Sequence, residues 1–133
     1  MNTDALEDFA ARYTEAWCSH EAARVASFYA PDGTLTINAG TPSVGRAGVA
    51  SAAQAFMTTF PDLVVTMDAV QQDGANAIYR WTATGTNRGP GGNGNEVHFS
   101  GREEWTFDAD GLIAASLGYF DEADYQRQMA TQR

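Results

Sequence analysis

The chain has 133 residues, 44% of them hydrophobic, which suits a single folded domain over residues 1–133. A formal net charge of −9 repels a phosphate backbone, so we expect no nucleic acid partner. All eight basic residues are arginine, which excludes lysine Schiff-base chemistry, and the lone Cys18 excludes an internal disulfide. With no secretory signal and no apolar run long enough to span a membrane, we expect a cytoplasmic protein without membrane contact.

The N-terminal part of the chain predicts two helices. The first begins with Thr3 and Asp4, and its apolar residues are spaced three and four apart: Leu6, Phe9, Tyr13 and Trp17. The second follows Ser19, carries Val25, Phe28 and Tyr29, and ends at Pro31-Asp32-Gly33. We expect the two helices to pack as a pair.

A short strand and a third helix follow. Alternation over Thr34–Asn38 predicts a brief strand with Leu35 and Ile37 on one face. Arg46–Phe60 predicts a helix, because its apolar residues form one stripe and Pro61 ends it.

The second half of the chain has the period of two that is typical of strands. Alternation from Leu63 to Ala69 leads into Asp73-Gly74, a hairpin signal. The next strand covers Ala75 to about Asn87, with Tyr79 and Trp81 on its core-facing side. Arg88–Asn95 is a glycine-rich loop that we expect to be mobile. The remaining predicted elements are a strand over Glu96–Phe107, a turn at Asp110-Gly111, a strand over Leu112–Phe120 and a helix capped by Asp121.

This order of elements predicts the α+β class, with helices on one face of a largely antiparallel sheet around an apolar pocket. The other face would be free for a second copy, so we expect a homodimer through this outer sheet face. His20 and His98 lie on different elements with no ligand at metal spacing, so neither a metal nor another cofactor is expected.

Glu103 is the strongest candidate for chemistry. It is the one charged residue on the apolar face of the strand Glu96–Phe107, where loss of water would raise the pKa of its carboxyl group. Such a carboxyl can act as a general acid or base near neutral pH. Two structural interpretations stand beside this one: Glu103 hydrogen-bonds a tyrosine or asparagine in the interior, or it stays solvated at the mouth of the pocket.

Two further residues are candidate partners of Glu103. Asn87, by parity with Tyr79 and Trp81, would orient a substrate carbonyl or hold the carboxyl group; alternatively it is a turn residue that begins the glycine-rich loop. Tyr13 would point its hydroxyl into the pocket, although aromatic residues at helical spacing also serve as core. The predicted pocket walls are Trp17, Tyr29, Ile37, Phe56, Trp81, Phe99, Trp105 and Tyr119.

Three stretches together resemble one known family. FYAPDGTLTI with VGRAGV, WTATGTNRG, and HFSGREEWTFDADGLIAASLGYFDEADYQRQM are similar in order and spacing to SnoaL-like polyketide cyclases of the nuclear transport factor 2-like superfamily, which also includes ketosteroid isomerases. The resemblance implies a cone-shaped fold in which a strongly curved antiparallel or mixed sheet and three helices of the N-terminal half enclose an apolar pocket. A short C-terminal helix completes it.

The resemblance also implies roles for particular positions. The acid/base residue of the cyclases corresponds to Glu103, a glutamate where aspartate is usual, and Asn87 stands where their histidine is found. The base of the isomerases falls on Ile37 or Asn38, neither of which takes a proton, and an aspartate of the related epoxide hydrolases falls near Gly118. Both of those activities are therefore disfavoured.

Three functions remain open at this point. The first is a cofactor-independent cyclase or isomerase of a small hydrophobic carbonyl compound, with Glu103 as the acid/base and Asn87 or Tyr13 beside the oxyanion. The second is a binding module for an apolar metabolite without catalysis. The third is a dimeric interaction domain.

Overall fold

The computed structural model describes residues 2–130, and these form four helices and six strands. The helices are α1 (Thr3–Cys18), α2 (Ala22–Ala26), α3 (Gly45–Thr59) and α4 (Glu122–Ala130). The strands are β1 (Tyr29–Ile37), β2 (Ser43–Val44), β3 (Val64–Asp73), β4 (Asn76–Thr86), β5 (Glu96–Phe107) and β6 (Ile113–Phe120). No helix within these residues is long and apolar enough to cross a bilayer.

The strands form one mixed sheet in the order β2-β1-β6-β5-β4-β3. β1 runs parallel to β6, and the other neighbouring strands are antiparallel. The sheet does not close on itself, so β2 and β3 are its edges. We call the face that packs against α1 and α3 the inner face, and the opposite one the outer face. This architecture confirms the predicted α+β class, with three helices from the N-terminal half and a short C-terminal helix.

Alternation along β5 decides which of its side chains enter the core. Its inner-face residues Val97, Phe99 and Trp105 are buried, whereas the outer-face residues His98 and Ser100 are exposed. β5 also has the bounds that the sequence predicts. The strand that carries the candidate acid is therefore oriented as expected.

Helix α1 begins as predicted but is capped by the residue before it. Asn2 Oδ1 accepts a hydrogen bond from the backbone N–H of Ala5 at 2.8 Å, which satisfies one of the free donors of the first turn. The buried face of the helix consists of Leu6, Phe9, Ala10, Tyr13 and Ala16.

The second helix is shorter than predicted, because Tyr29 belongs to β1. Tyr29 is a register partner of Ile113, and the pairing shifts before it resumes at Thr34. Gly33 lies in this irregular step, where a Cβ atom would come within 2.7 Å of the Ile113 carbonyl oxygen. Pro31-Asp32-Gly33 therefore bends a strand, and the prediction that it ends a helix is wrong.

A bulge in β3 changes which of its residues face inward. Met67 pairs with Trp81 and Ala69 with Arg80, so Asp68 is the extra residue between them. Past the bulge Val70 packs against the core and Ala69 is exposed, so the alternation predicted from Leu63 to Ala69 is broken at the bulge. A strict period of two cannot reveal an inserted residue.

Helix α4 covers the part of β5 that β6 does not reach. β6 pairs with β5 only from Gly101 onward. At His98, the Gln128 side chain accepts from the backbone N–H at 2.7 Å and donates to the carbonyl oxygen at 2.9 Å. Tyr125 packs its ring against Phe99, at 4.9 Å between ring centres.

The glycine-rich loop before β5 is held at two places. The backbone N–H of Gly89 donates to the Thr59 carbonyl oxygen at 3.2 Å, and Asn93 Nδ2 donates to the Met129 carbonyl oxygen at 2.7 Å. The loop thereby connects the ends of α3 and α4. Its expected mobility stays a prediction.

Candidate functional site

An apolar cavity lies between the inner face of the sheet and the helices. The centre of a water-sized sphere can move through about 70 Å³ of this cavity, so the space that the atoms of a ligand can fill is larger. Its walls are almost entirely apolar, and Glu103 is the one carboxyl among them. The lining residues are Trp17, Leu35, Ile37, Phe56, Leu63, Val65, Tyr79, Trp81, Ala83, Phe99, Glu103, Gly118 and Phe120.

Glu103 reaches this cavity from the middle of the sheet. On β5 it lies between its register partners Tyr79 of β4 and Gly118 of β6. The residue is only 7% exposed, so the carboxyl group is buried as the sequence predicts. Since Gly118 has no side chain, nothing from the neighbouring strand covers the carboxyl at that position.

Four donors surround the carboxyl group of Glu103. Its Oε1 accepts from Ser116 Oγ at 2.7 Å, Tyr13 OH at 2.9 Å and Trp105 Nε1 at 3.0 Å, with Tyr29 OH farther away at 3.4 Å. Its Oε2 has one contact, the Tyr13 hydroxyl at 3.2 Å. Among the described residues, Oε2 is therefore the oxygen with capacity left for a ligand.

Burial sets the protonation of this cluster. Burial raises the pKa of Glu103, and the four donors oppose that rise without cancelling it. Burial and the negative charge of Glu103 also raise the pKa of Tyr13 and of Tyr29 well above their usual range. The two phenols therefore keep their protons and act as donors, and the Glu103 carboxyl keeps its proton to a higher pH than a solvated glutamate does.

The structure divides the predicted pocket residues into three groups. Trp17, Ile37, Phe56, Trp81 and Phe99 line the cavity. Tyr13, Tyr29 and Trp105 are completely buried behind Glu103 and contact it by hydrogen bonds. Tyr13 thus contacts Glu103 and supports its carboxyl group, and it is not among the residues that line the cavity, into which its hydroxyl was expected to point.

The third group is Tyr119 alone, whose predicted place in the pocket is wrong. On β6 the inner-face residues are Gly118 and Phe120, so the period of two puts Tyr119 on the outer face. There its ring lies under the Arg102 guanidinium, at 4.6 Å from the ring centre.

Asn87 lies far from Glu103, so the predicted pairing of the two is also wrong. β4 ends at Thr86, and Asn87 begins the glycine-rich loop, where its Nδ2 donates to Asn93 Oδ1 at 3.3 Å. Tyr79, the partner of Glu103, is eight residues away along the chain, or about 26 Å in an extended strand. The alternative interpretation of Asn87 as a turn residue fits the structure.

Sequence reasoning missed Ser116, the closest donor to Glu103. Ser116 is fully buried and is the register partner of Trp105. The signal was available in principle, because Ser116 shares its strand face with Gly118. One serine among the small residues of this strand does not form a sequence pattern that predicts a buried hydrogen-bond donor.

The two histidines are used elsewhere. His20 Nε2 lies 3.0 Å from the Leu63 carbonyl oxygen, and His98 is exposed on the outer face. Within residues 2–130, no three His, Cys, Asp or Glu side chains are close enough to share a metal ion.

Comparison with known proteins agrees with this fold. A family model described as the SnoaL-like domain matches residues 10–116, most of the chain. No curated protein sequence matches significantly. A candidate polyketide cyclase from Xanthomonas campestris pv. campestris superimposes with a TM-score of 0.84 at 20% identity, covering 98% of this chain and 100% of that one.

Two further solved structures are similar. A candidate SnoaL-like polyketide cyclase from Jannaschia sp. CCS1 has a TM-score of 0.79 at 17% identity, covering 100% of this chain and 99% of that one. A nuclear transport factor 2-like protein from Burkholderia pseudomallei K96243 has a TM-score of 0.79 at 18% identity, covering 94% and 97%. These likenesses show the fold, an α+β cone of the nuclear transport factor 2-like class. The chain belongs to the SnoaL-like domain family.

Proposed function

We propose that this protein is a cofactor-independent acid/base enzyme that acts on a small hydrophobic carbonyl compound. The observation that supports it is one buried carboxyl group, Glu103, in the lining of an otherwise apolar cavity. A carboxyl whose pKa is raised by burial is a stronger base than a solvated carboxylate, and it can return the proton that it accepts.

In the proposed reaction Glu103 carries one proton between two atoms of the substrate. The carboxylate takes a proton from the carbon next to the carbonyl group, and the C–H electron pair moves to form an enolate. The same proton then returns to another carbon, which isomerises the substrate, or to an alkoxide formed when the enolate carbon attacks a second carbonyl, which closes a ring. Neither course needs an oxidant or a second substrate.

The four donors around Glu103 position the group that reacts. Ser116, Tyr13 and Trp105 hold Oε1, which fixes the plane of the carboxyl and leaves Oε2 as the reactive oxygen. The apolar cavity limits the water around the reacting atoms, so most proton transfers stay within the complex. An exchange measurement detects the remaining events, in which Glu103 exchanges its proton with solvent before returning one to the substrate.

A proton-exchange assay tests the proposal without knowledge of the natural substrate. 1-Indanone is a small apolar ketone, and loss of its α-hydrogens into D2O is followed by NMR. We expect the wild-type protein to accelerate exchange above the buffer rate and Glu103→Gln to return it to the buffer rate. Glu104→Gln is the matched control, because Glu104 lies on the outer face paired with Arg102 at 2.9 Å. Equal exchange by the wild type and Glu103→Gln would contradict the proposal.

A second candidate function is non-catalytic binding of an apolar metabolite. It is supported by the hydrogen-bonded state of Glu103 Oε1 and by the position of Asn87, which lies outside the cavity and leaves Glu103 without the amide expected to orient a substrate carbonyl. Native mass spectrometry of the purified protein distinguishes the two functions. A co-purified ligand released unaltered favours binding, whereas its release as a converted product favours catalysis.

The homodimer through the outer sheet face stays a prediction. That face presents the ion pair of Arg102 with Glu104 and the ring of Tyr119 beneath Arg102. Sedimentation velocity at micromolar concentration tests it, and a monomeric mass would contradict it.

A further inference from the structure

The indole N–H of Trp81 is a buried donor without a partner. Among the described residues its Nε1 is the one buried side-chain nitrogen or oxygen that makes no hydrogen bond. Leaving such a group unpaired is costly, and native proteins rarely do so without a functional reason. The described residues supply no acceptor for this N–H, so a bound molecule would have to provide one.

Two other polar groups of the cavity wall already have partners within the chain. The Tyr79 hydroxyl pairs with Thr14, and Oε1 of Glu103 accepts from Ser116. Trp81 lines the same cavity as Tyr79 and Glu103. Its N–H is thus a buried, unused donor of a residue of this site.

Gly101 shows where the indole ring lies. A Cβ atom at Gly101 would come within 2.7 Å of Trp81 Cζ2, and Cζ2 and Nε1 are both bonded to the same ring carbon. Cζ2, which is two bonds from Nε1, therefore lies over Gly101. Gly101 precedes Glu103 by two residues on the same face of β5, so their Cα atoms are about 6.6 Å apart.

We infer that the Trp81 N–H binds the carbonyl oxygen of the ligand, so that the site selects apolar molecules with one hydrogen-bond acceptor. This inference rests on the proposed function for the role of Glu103. The donor and the proton-transferring carboxyl lie on the neighbouring strands β4 and β5, and both residues line the cavity. As Glu103 takes the α-proton, charge develops on the oxygen that the indole N–H already holds.

A matched pair of probes tests the inference. 1-Indanone carries the acceptor oxygen, and indane has nearly the same shape without it. We expect wild-type protein to bind 1-indanone about fivefold more tightly than indane, the size expected of one neutral hydrogen bond. In a spectrum of ¹⁵N-labelled protein, 1-indanone should move the Trp81 indole N–H resonance downfield, and indane should not. Trp81→Phe assigns that resonance among the three tryptophans.

The variants separate this inference from the proposed function. Trp81→Phe should reduce the preference for 1-indanone to about one, whereas Glu103→Gln should keep the preference and lose proton exchange. If Glu103→Gln leaves exchange unchanged while the preference behaves as described, the proposed function fails and the binding role of Trp81 stands. Equal affinity of wild type for both probes, binding of neither up to its solubility limit, or an unmoved Trp81 resonance would overturn the inference.

Discussion

The Ser116 hydroxyl lies 2.7 Å from Oε1 of Glu103 although the two residues are not opposite each other in the sheet. The register partner of Glu103 is Gly118, and that of Ser116 is Trp105. A diagonal contact of this kind lets β6 supply a donor to the carboxyl group from one position. At Gly118, the next inner-face position of β6, no side chain fills the cavity.

The first prediction concerns this hydroxyl. Replacing Ser116 by Ala removes a donor that lowers the pKa of Glu103, so that pKa should rise further. Stability should fall by about 1–3 kcal/mol, since a buried acceptor loses its closest partner. The pKa is read from the ¹³C shift of the Glu103 carboxyl during an NMR titration. Ser100→Ala, on the exposed outer face, should leave it unchanged; an unchanged value in Ser116→Ala would count against the contact.

The second prediction concerns the phenol of α1. Tyr13→Phe keeps the ring and removes a hydroxyl that contacts both Glu103 and Tyr29. The free energy of unfolding in urea should fall by about 1–3 kcal/mol, because buried polar groups lose a partner. Tyr119→Phe serves as the control, since its ring lies on the outer face, and it should change stability little. Equal losses in both variants would show that the buried network adds nothing specific.

The third prediction is a pH dependence of stability. The folded protein keeps a proton on Glu103 that the unfolded chain has released above about pH 4.3. The stabilisation is therefore complete below that pH and is lost as pH rises through the raised pKa of Glu103. The three tyrosines around Glu103 have raised pKa values and keep their protons throughout this pH range. They are Tyr13, Tyr29 and Tyr79.

The measurement is the difference in unfolding free energy between wild type and Glu103→Gln, which does not titrate at this position. We expect the advantage of the wild type to shrink as pH increases from about 4.3 upward. A difference that stays constant with pH would mean that the carboxyl titrates normally in the folded protein.

The fourth prediction compares two glycines of the inner face. In Gly101→Ala the new Cβ would come within 2.3 Å of the Tyr119 carbonyl oxygen, so the backbone must shift and stability should fall by about 1–3 kcal/mol. In Gly118→Ala the nearest atom is 3.7 Å away, an ordinary contact, so the fold should be kept while the cavity loses space. Thermal unfolding and 1-indanone binding measure both effects. Tight 1-indanone binding by Gly118→Ala would contradict the position of the cavity.

Periodicity predicted those elements whose residues repeat without interruption. β5 has the predicted bounds, and α3 differs by one residue at each end, because their burial patterns are regular. Prediction failed where the chain departs from ideal geometry, at the Gly33 step in β1 and the Asp68 bulge in β3. Both irregularities depend on a neighbouring strand, which local sequence does not contain.

The candidate site was predictable to a similar extent. An acid on an apolar strand face identified Glu103, and helical spacing identified Tyr13. Parity misplaced Asn87, because it predicts the face of a residue but not the strand register, which pairs Glu103 with Tyr79. The unpaired state of the Trp81 indole depends on the absence of acceptors from several elements at once, so no sequence pattern could have shown it.

The double hydrogen bond between Gln128 and the main chain of His98 has a consequence for solubility. An amide side chain there satisfies the two main-chain groups that a further strand would otherwise bind. If α4 were removed or detached, this stretch would become an open template for strand addition by another molecule. The last helix thus protects the protein against intermolecular β-pairing and the aggregation that follows from it.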